Sequence, residues 1–397
     1  MSDDVPAWMK SLADAPDTLS YHLAHPEENF DTYYKRKKLE RAQDVIAKKK
    51  IYLDQKYWIY CRDVEMGRSK ECIHQEIYEA LKSLVSKGIA ICPTSHLVLE
   101  ETTKQLDLNT RRSTASVIDR LSGNISLEPI PYLDSLEWFC YFQNIYAKEN
   151  CIAIVAKNNF AWTWSSYMLD TRIPHSPWMG ESTNTAFKKA FFDSLTHLPF
   201  SNVLDALGSD INASFLEAPD FVDDIIRKNL EFSNDAVDFS RVLRLEMMGA
   251  VKTYLEQGTI EEALRVECHH RTGRWPTNGE ALETNKLLFD LAFRVSCQCA
   301  FGTEGRALPC VHIVGGIHAK VRNNDHKWKH GDAYDCLHAR CALPYCDYFF
   351  TERALCNLLV QPPLRYDKAY DCKVMWKEEE ILETLKDLSL KASRDIT

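Results

Sequence analysis

The stretch from Ile51 to Gln105 restricts the fold more than any other part of the chain. IYLD at 51–54 is a short apolar run closed by a carboxylate, the pattern of a buried strand in a parallel sheet. ECIHQEIYEALKSLVSKG follows, with Ile73, Ile77, Leu81 and Leu84 at helical spacing and Gly88 as a stop. IAICP, closed by Pro93, is a second apolar run, and Ser95 is placed to cap a helix beginning SHLVLEETTKQL. Strand, helix, strand, helix is the order of a doubly wound α/β sheet. The signals return late in the chain, where VHIVGGIHAKV reads as a strand with its turn, GDAYDCLHARCAL as a helix and DYFFT as a strand. Between about 125 and 290 long helical patterns replace them, such as FVDDIIRKNLEFSNDAVDFSRVLRLEMMGAVKTYLEQG, with aromatic loops such as FAWTWSSYMLDTRIPHSPWMG and no internal repeat.

These patterns divide the chain into an N-terminal extension with a basic helix (1–45), a first α/β half (46–124), a mostly helical insertion (125–295), a second α/β half (296–375) and a charged C-terminal helix (376–397). Residues 1 to about 30, polar and interrupted by Pro, read as loosely attached. DTYYKRKKLERAQDVIAKKK then gathers Lys35, Arg36, Lys37, Lys38, Arg41, Lys48, Lys49 and Lys50 around Leu39, Ala42, Val45 and Ile46 at helical spacing. Such a helix either touches phosphates or presents a solvated face.

Charge bears on that choice. With 48 Lys and Arg against 57 Asp and Glu the formal charge is −9. This argues against coating nucleic acid non-specifically, since each neutralised phosphate needs a cation, and leaves local contact open. A composition of 45% hydrophobic and 26% charged residues excludes a disordered or fibrous chain. Fourteen cysteines, scattered from Cys61 to Cys372, lack the density of a small secreted framework. MSDDVPAWMK has no basic segment followed by an apolar run, and no apolar stretch is long enough to span a bilayer. The expectation is a cytoplasmic protein with reduced thiols and no membrane partner.

Several acids sit where a ligand would meet them. Asp54 ends the first strand, and open parallel sheets bind ligands beyond the carboxyl ends of their strands. Glu100 and Glu101 are about 100° apart around the helix after the second strand, so only one can face Asp54. Asp332 and Asp335 share a face at a helix start, with His338 one turn on, and Asp347 and Glu352 bracket YFFT. Clustered carboxylates raise one another's pKa unless a cation neutralises them. A hard divalent ion, Mg²⁺ or Mn²⁺, does so through oxygen ligands and also clamps a phosphodiester for in-line displacement. The alternative is that acids simply favour helix starts.

IYLDQKYW, PTSHLVLEETTKQ and DAYDCLHARCALPYCDYFFTER, in that order, resemble the motif blocks of PIN-domain nucleases. Those blocks are a strand ending in Asp, a Ser-led helix carrying Glu, a helix opening with Asp, and a strand running into a Thr-led acidic turn. The resemblance covers about 50–110 and 305–360. It implies a PIN-like α/β/α sandwich with a central, mostly parallel sheet, split here by the large helical insertion. It also implies an endonuclease that hydrolyses phosphodiester bonds, foremost in single-stranded RNA, with a water activated by carboxylate-held Mg²⁺ or Mn²⁺. Asp54 matches the first acid. Glu101, six residues after Ser95, matches the second better than Glu100, and Asp335 matches the third.

The fourth acid departs from the family, because Arg353 occupies its usual place. Glu352 and Asp347 compete for the role, and an extended chain separates them by about 16 Å, too far to share one site. A place at a strand's carboxyl end favours Glu352. The resemblance thus implies Asp54, Glu101, Asp335 and Glu352 as catalytic, with Asp347 as a further metal candidate. Glu100, Asp332, His338 and Arg353 would assist. Lys56, Lys104 and Arg353 would steady a phosphate, Tyr57 and Trp58 would stack on a base, and the basic helix at 35–50 and the segment Lys320–Lys329 would dock RNA. Roles as a toxin, RNA-processing factor or defence effector, with a homo-oligomeric or regulatory partner, are all compatible. The second reading is a weak or inactive PIN-like scaffold or nucleic-acid-binding module, with Arg353 as the mark of decay.

Each residue also has a structural role to fill. Asp54 can cap a turn and Asp335 a helix, His338 can pack, and Tyr57 and Trp58 can lie in the core. Trp162, Trp164, Tyr167 and Trp178 suit a buried insertion core. Cys336, Cys341 and Cys346, with Cys297, Cys299, Cys310 and His312, lack the paired CxxC spacing of a zinc site. The Gly pair of IVGGIHAK lacks the dinucleotide pattern, and neither a P-loop nor a G-x-S-x-G elbow occurs.

Overall fold

The computed structural model of the protein describes residues 14–147, 160–166, 178–207, 238–277, 306–323 and 330–394, with positions 10 and 280. Tyr167, Cys297, Cys299, Lys327, Lys329 and the first half of the long helical pattern at 221–237 lie outside them. The chain runs through α1 (Leu19–Ala24), α2 (Phe30–Ile46), β1 (Lys49–Leu53), α3 (Gln55–Glu65), α4 (Cys72–Ser86), β2 (Ala90–Ile91), α5 (His96–Thr103) and α6 (Leu108–Ser122). Next come β3 (Ile125–Leu127), α7 (Ile130–Ala147), β4 (Trp162–Trp164), α8 (Glu181–Thr196), α9 (Phe200–Leu207), α10 (Phe239–Glu256) and α11 (Thr259–Thr272). The described chain closes with α12 (Pro309–Asn323), α13 (His330–Ala342), β5 (Tyr348–Phe350), α14 (Arg353–Val360), α15 (Tyr366–Tyr370), β6 (Lys373–Met375) and α16 (Glu378–Arg394). The class is mixed α/β, mostly helical, with short parallel strands.

Two compact units share these elements. The described residues of Met1–Glu128, Asn159–Glu217 and Trp376–Thr397 form the first, and those of Pro129–Asn158 and Ala218–Met375 the second. The stretch 125–295 therefore contributes to both.

In the first unit β1 and β2 pair in parallel, Lys49 opposite Ala90 and Lys50 opposite Ile91. Ile51, Tyr52 and Leu53 are fully buried, which is why a continuous apolar run suits this strand. On α4, Ile77, Leu81 and Leu84 form the buried stripe, and the C-terminal helix α16 packs against that helix. Gly88, at φ +69°, then turns the chain into β2, a conformation an L side chain rarely adopts.

The N-terminal segment departs from the loose extension its polarity suggested. α1 packs on α8, with His22 buried and its Nε2 2.9 Å from Asp193 Oδ2. The basic helix α2 is likewise not a uniform charged face. Lys38 is 0% exposed, and its ammonium donates to the Glu128 carboxylate and the Trp162 carbonyl. Arg36, Lys37 and Lys48 pair with Glu40, Glu40 and Asp44 of the same helix, so much of its positive charge is neutralised in place. Trp162 and Trp164, expected in a loop, lie on β4, antiparallel to β3 and buried; Trp178 is 92% exposed instead of core.

The second unit packs α7, α10, α11 and the start of α12 around Trp138, Phe142, Met247, Val251, Ile260, Leu308 and Val311. Its strands β5 and β6 run parallel, Tyr348 opposite Lys373 and Phe350 opposite Met375. VHIVGGIHAKV is the helix α12, not a strand. Val311, Ile313, Ile317, Ala319 and Val321 are all buried, so the run has no polar face to display a helical period, and a short apolar run does not distinguish the two states. Its glycines allow close packing. A Cβ on Gly315 would stand 2.8 Å from Met247 Cγ and 3.2 Å from Met247 Cα on α10. Among the described residues no helix is long and apolar enough to cross a membrane.

Candidate functional site

Asp54 follows the last residue of β1 and N-caps α3. Its backbone is extended (φ −76°, ψ 174°), and its Oδ1 accepts from the Lys56 amide at 2.9 Å. At 6% exposure it is a buried carboxylate at the positive end of a helix, which stabilises its charge. The second acidic helix is tied to the same strand. Ser95 occupies the N-cap position of α5 but makes no side-chain cap; its hydroxyl bonds instead with the Tyr52 hydroxyl of β1 at 2.8 Å. Glu100 and Glu101 follow on α5, both half-buried, with Glu100 Oε1 3.0 Å from His96 Nδ1. Lys104 is the C-cap of this helix.

Two nucleic-acid contacts expected on α3 are corrected. Tyr57 and Trp58 are 1% and 0% exposed, so neither ring offers a face to a base. The reason is helical geometry: both fall on the inward side of α3, and the Tyr57 hydroxyl donates to the Trp376 carbonyl at 3.0 Å.

The other acids belong to the second unit. Asp332 and Asp335 lie half-buried on α13, and His338 on the same helix is 2% exposed, a packed residue. Asp347 precedes β5 at its amino end, where its carbonyl accepts from the Lys373 amide at 2.9 Å. Glu352 stands past the carboxyl end of β5 as the exposed N-cap of α14, after the buried Thr351, whose amide donates to the Met375 carbonyl. Arg353 begins that helix and is exposed. The structure thus groups Asp54 with Glu100 and Glu101 in one unit, and Asp335 with Asp347 and Glu352 in the other. Among the described residues no three His, Cys, Asp or Glu side chains come together as a metal-holding group. Cys310, Cys336, Cys341 and Cys346 are buried free thiols. Burial pushes the thiols of Cys336 and Cys341 up to about 12.

Sequence reasoning missed a second polar centre. Asp134 and Glu137 on α7 are 6% and 1% exposed and face Arg340 of α13, itself 1% exposed. Arg340 Nη2 lies 2.7 Å from Asp134 Oδ1 and Nη1 2.9 Å from Glu137 Oε1. Glu137 also accepts from the Tyr345 hydroxyl at 2.5 Å and from the Cys310 amide at 2.7 Å. The available signal was two acids one turn apart in the otherwise apolar helix IPYLDSLEWFCYF.

Burial pushes the Asp134 carboxyl up to about 6; Arg340 opposes this and the Glu137 charge adds to it. Between the ordinary 3.8 and about 6 the folded state keeps a proton that the unfolded chain has released. This group's contribution is therefore most favourable below pH 4 and is lost as pH rises through 6, by roughly 3 kcal/mol in all. Urea midpoints measured from pH 4.5 to 7.5 should fall with rising pH more steeply in the wild type than in Asp134→Asn. Equal slopes would refute the assignment.

No family model, curated protein or solved structure matches the chain.

Proposed function

We propose that the protein is a PIN-like, Mg²⁺- or Mn²⁺-dependent nuclease acting on single-stranded RNA. The observation that carries this reading is Asp54, a buried carboxylate at the carboxyl end of a parallel strand, fixed by the amide of the helix it caps. The order of motif blocks in the sequence supports it, as does the Tyr52–Ser95 bond that joins the Glu101 helix to that strand. The donors are carboxylate oxygens, the chemistry that suits a hard divalent ion. Asp54 and Glu101 are the residues of the first unit that would hold such an ion. The ion would supply Lewis-acid polarisation of the phosphodiester. Lys56 and Lys104 offer cations to the phosphate.

The test is cleavage of a panel of RNA and DNA strands with Mg²⁺ and with Mn²⁺, wild type beside Asp54→Asn. Asparagine caps a helix as well as aspartate does, so the fold is retained while cleavage falls to background. Cleavage equal to wild type would overturn the reading. Arg353 in the place of the family's fourth acid favours a second reading, a PIN-like scaffold without activity. That reading predicts no cleavage of any strand and no rise in melting temperature with millimolar Mn²⁺.

A further inference from the structure

In the first unit three donors converge on one oxygen outside the proposed metal-holding acids. Glu378 Oε1, in the first turn of α16, lies 3.4 Å from Lys56 Nζ on α3 and 3.9 Å from His74 Nε2 on α4. The Tyr60 hydroxyl of α3 donates to the same oxygen at 3.3 Å. Tyr60 and His74 stack, with ring centroids 3.6 Å apart and 20° between their planes, and Lys56 Nζ stands 5.2 Å from the Tyr60 centroid. The side chains of Lys56, His74 and Glu378 keep 25%, 13% and 27% of their exposure, so the cradle opens on solvent.

An ammonium, a phenolic hydroxyl and an imidazole around one anionic oxygen form the donor set that a phosphate oxygen also accepts from. Ion pairs this exposed are weak, so the carboxylate yields to a competing anion at little loss. The helix need not detach when it does. α16 is held to the unit by its buried Ile381 and Leu385, and Glu380, two residues on, is already paired with Lys377 at 2.7 Å. A nucleic-acid strand suits the cradle because Lys56 and Tyr60 lie on α3, the helix that Asp54 caps, so a strand held at Asp54 passes it. Lys56 is also two residues from Asp54.

We propose that Lys56, Tyr60 and His74 form a subsite for a backbone phosphate of single-stranded nucleic acid, and that the Glu378 carboxylate occupies it in the free protein as an autoinhibitory stand-in. The choice of polymer rests on the nuclease reading, but the binding step requires no cleavage.

The test is fluorescence anisotropy of a labelled oligouridine in EDTA across a salt series, with the full chain. Glu378→Gln should tighten binding about tenfold, the scale of one charge-assisted contact. It should also steepen the slope of log K against log salt by about 0.7, one added phosphate contact on a single strand. Lys56→Ala placed on Glu378→Gln should return both quantities to wild type. Unchanged affinity in Glu378→Gln overturns the proposal, and so does equal tightening in the double variant, which would mean that the gain does not pass through Lys56. Inorganic phosphate should not compete at equal concentration; if it does, the subsite takes free anions and the nucleic-acid assignment falls. If circular dichroism shows Glu378→Gln unfolded, Glu378→Asp, whose carboxylate is one methylene shorter, is measured in its place with the same expected direction. Tightened binding together with Asp54-independent cleavage would leave the subsite standing and remove the nuclease reading, and the converse pair of results would do the reverse.

Discussion

Arg340→Ala is expected to destabilise the second unit by about 3–5 kcal/mol, the range for removing one partner from a buried ion pair. Arg340 is the cation that faces both Asp134 and Glu137, at 2.7 and 2.9 Å, and all three side chains are buried. Without the guanidinium, two carboxylates one turn apart on α7 share an apolar interior. One can take a proton, which moderates the loss, so the deficit should be larger at pH 7 than at pH 5. Arg340→Lys should recover only part of it, because a single ammonium does not reproduce a fork aimed at two carboxylates. Hydrogen exchange provides a readout confined to this unit: amides of α7 and α13 should lose protection in Arg340→Ala. A loss below about 1 kcal/mol would show that water reaches the triad and that the burial argument does not hold.

Lys38→Met is expected to have an effect of similar size in the first unit, about 3–5 kcal/mol, for the same physical reason with the charges reversed. Lys38 is 0% exposed and Glu128 6%, and the ammonium also satisfies the Trp162 carbonyl. Burial holds the Lys38 amine below its usual range, with Glu128 opposing that shift. The single substitution strands a carboxylate and a carbonyl. The double substitution Lys38→Met/Glu128→Leu should be far milder, since replacing both ions of a buried pair by apolar groups of similar volume is often neutral. Chemical denaturation of Lys38→Met, Glu128→Leu and the double variant closes the double-mutant cycle, and additive losses would mean that the two side chains do not act as a pair.

These two positions also show where sequence reading stops. On α2 the series Lys35, Arg36, Lys37 and Lys38 is uniform as text, yet only Lys38 is fully buried, because Tyr33, Ala42 and Val45 set the inward face of the helix. Periodicity could suggest a helix there, but the acid opposite comes from Glu128, ninety residues away. Asp134 and Glu137 were visible as acids in an apolar helix, whereas Arg340 lies beyond the reach of any local pattern. For α12 the failure was of another kind. A helix buried on several sides loses the polar stripe that marks its period, and its Gly pair, which resembles a turn, serves the close approach of Met247.

What the sequence determined by itself is local. IYLD is a strand that ends in a buried carboxylate, because three consecutive apolar residues can all be buried only when both faces are covered. The helix α4 stops where Gly88 supplies a positive φ, and DYFFT is a strand leading into an acidic helix cap. These follow from backbone sterics and from apolar spacing over a few residues. Tertiary structure decided which charges are buried and what each of them faces. It placed Tyr57 and Trp58 in the core, tied Ser95 to Tyr52 instead of to its own helix, and set Glu378 against Lys56, Tyr60 and His74. Each of those outcomes depends on desolvation and on a partner distant in the chain, and local spacing encodes neither.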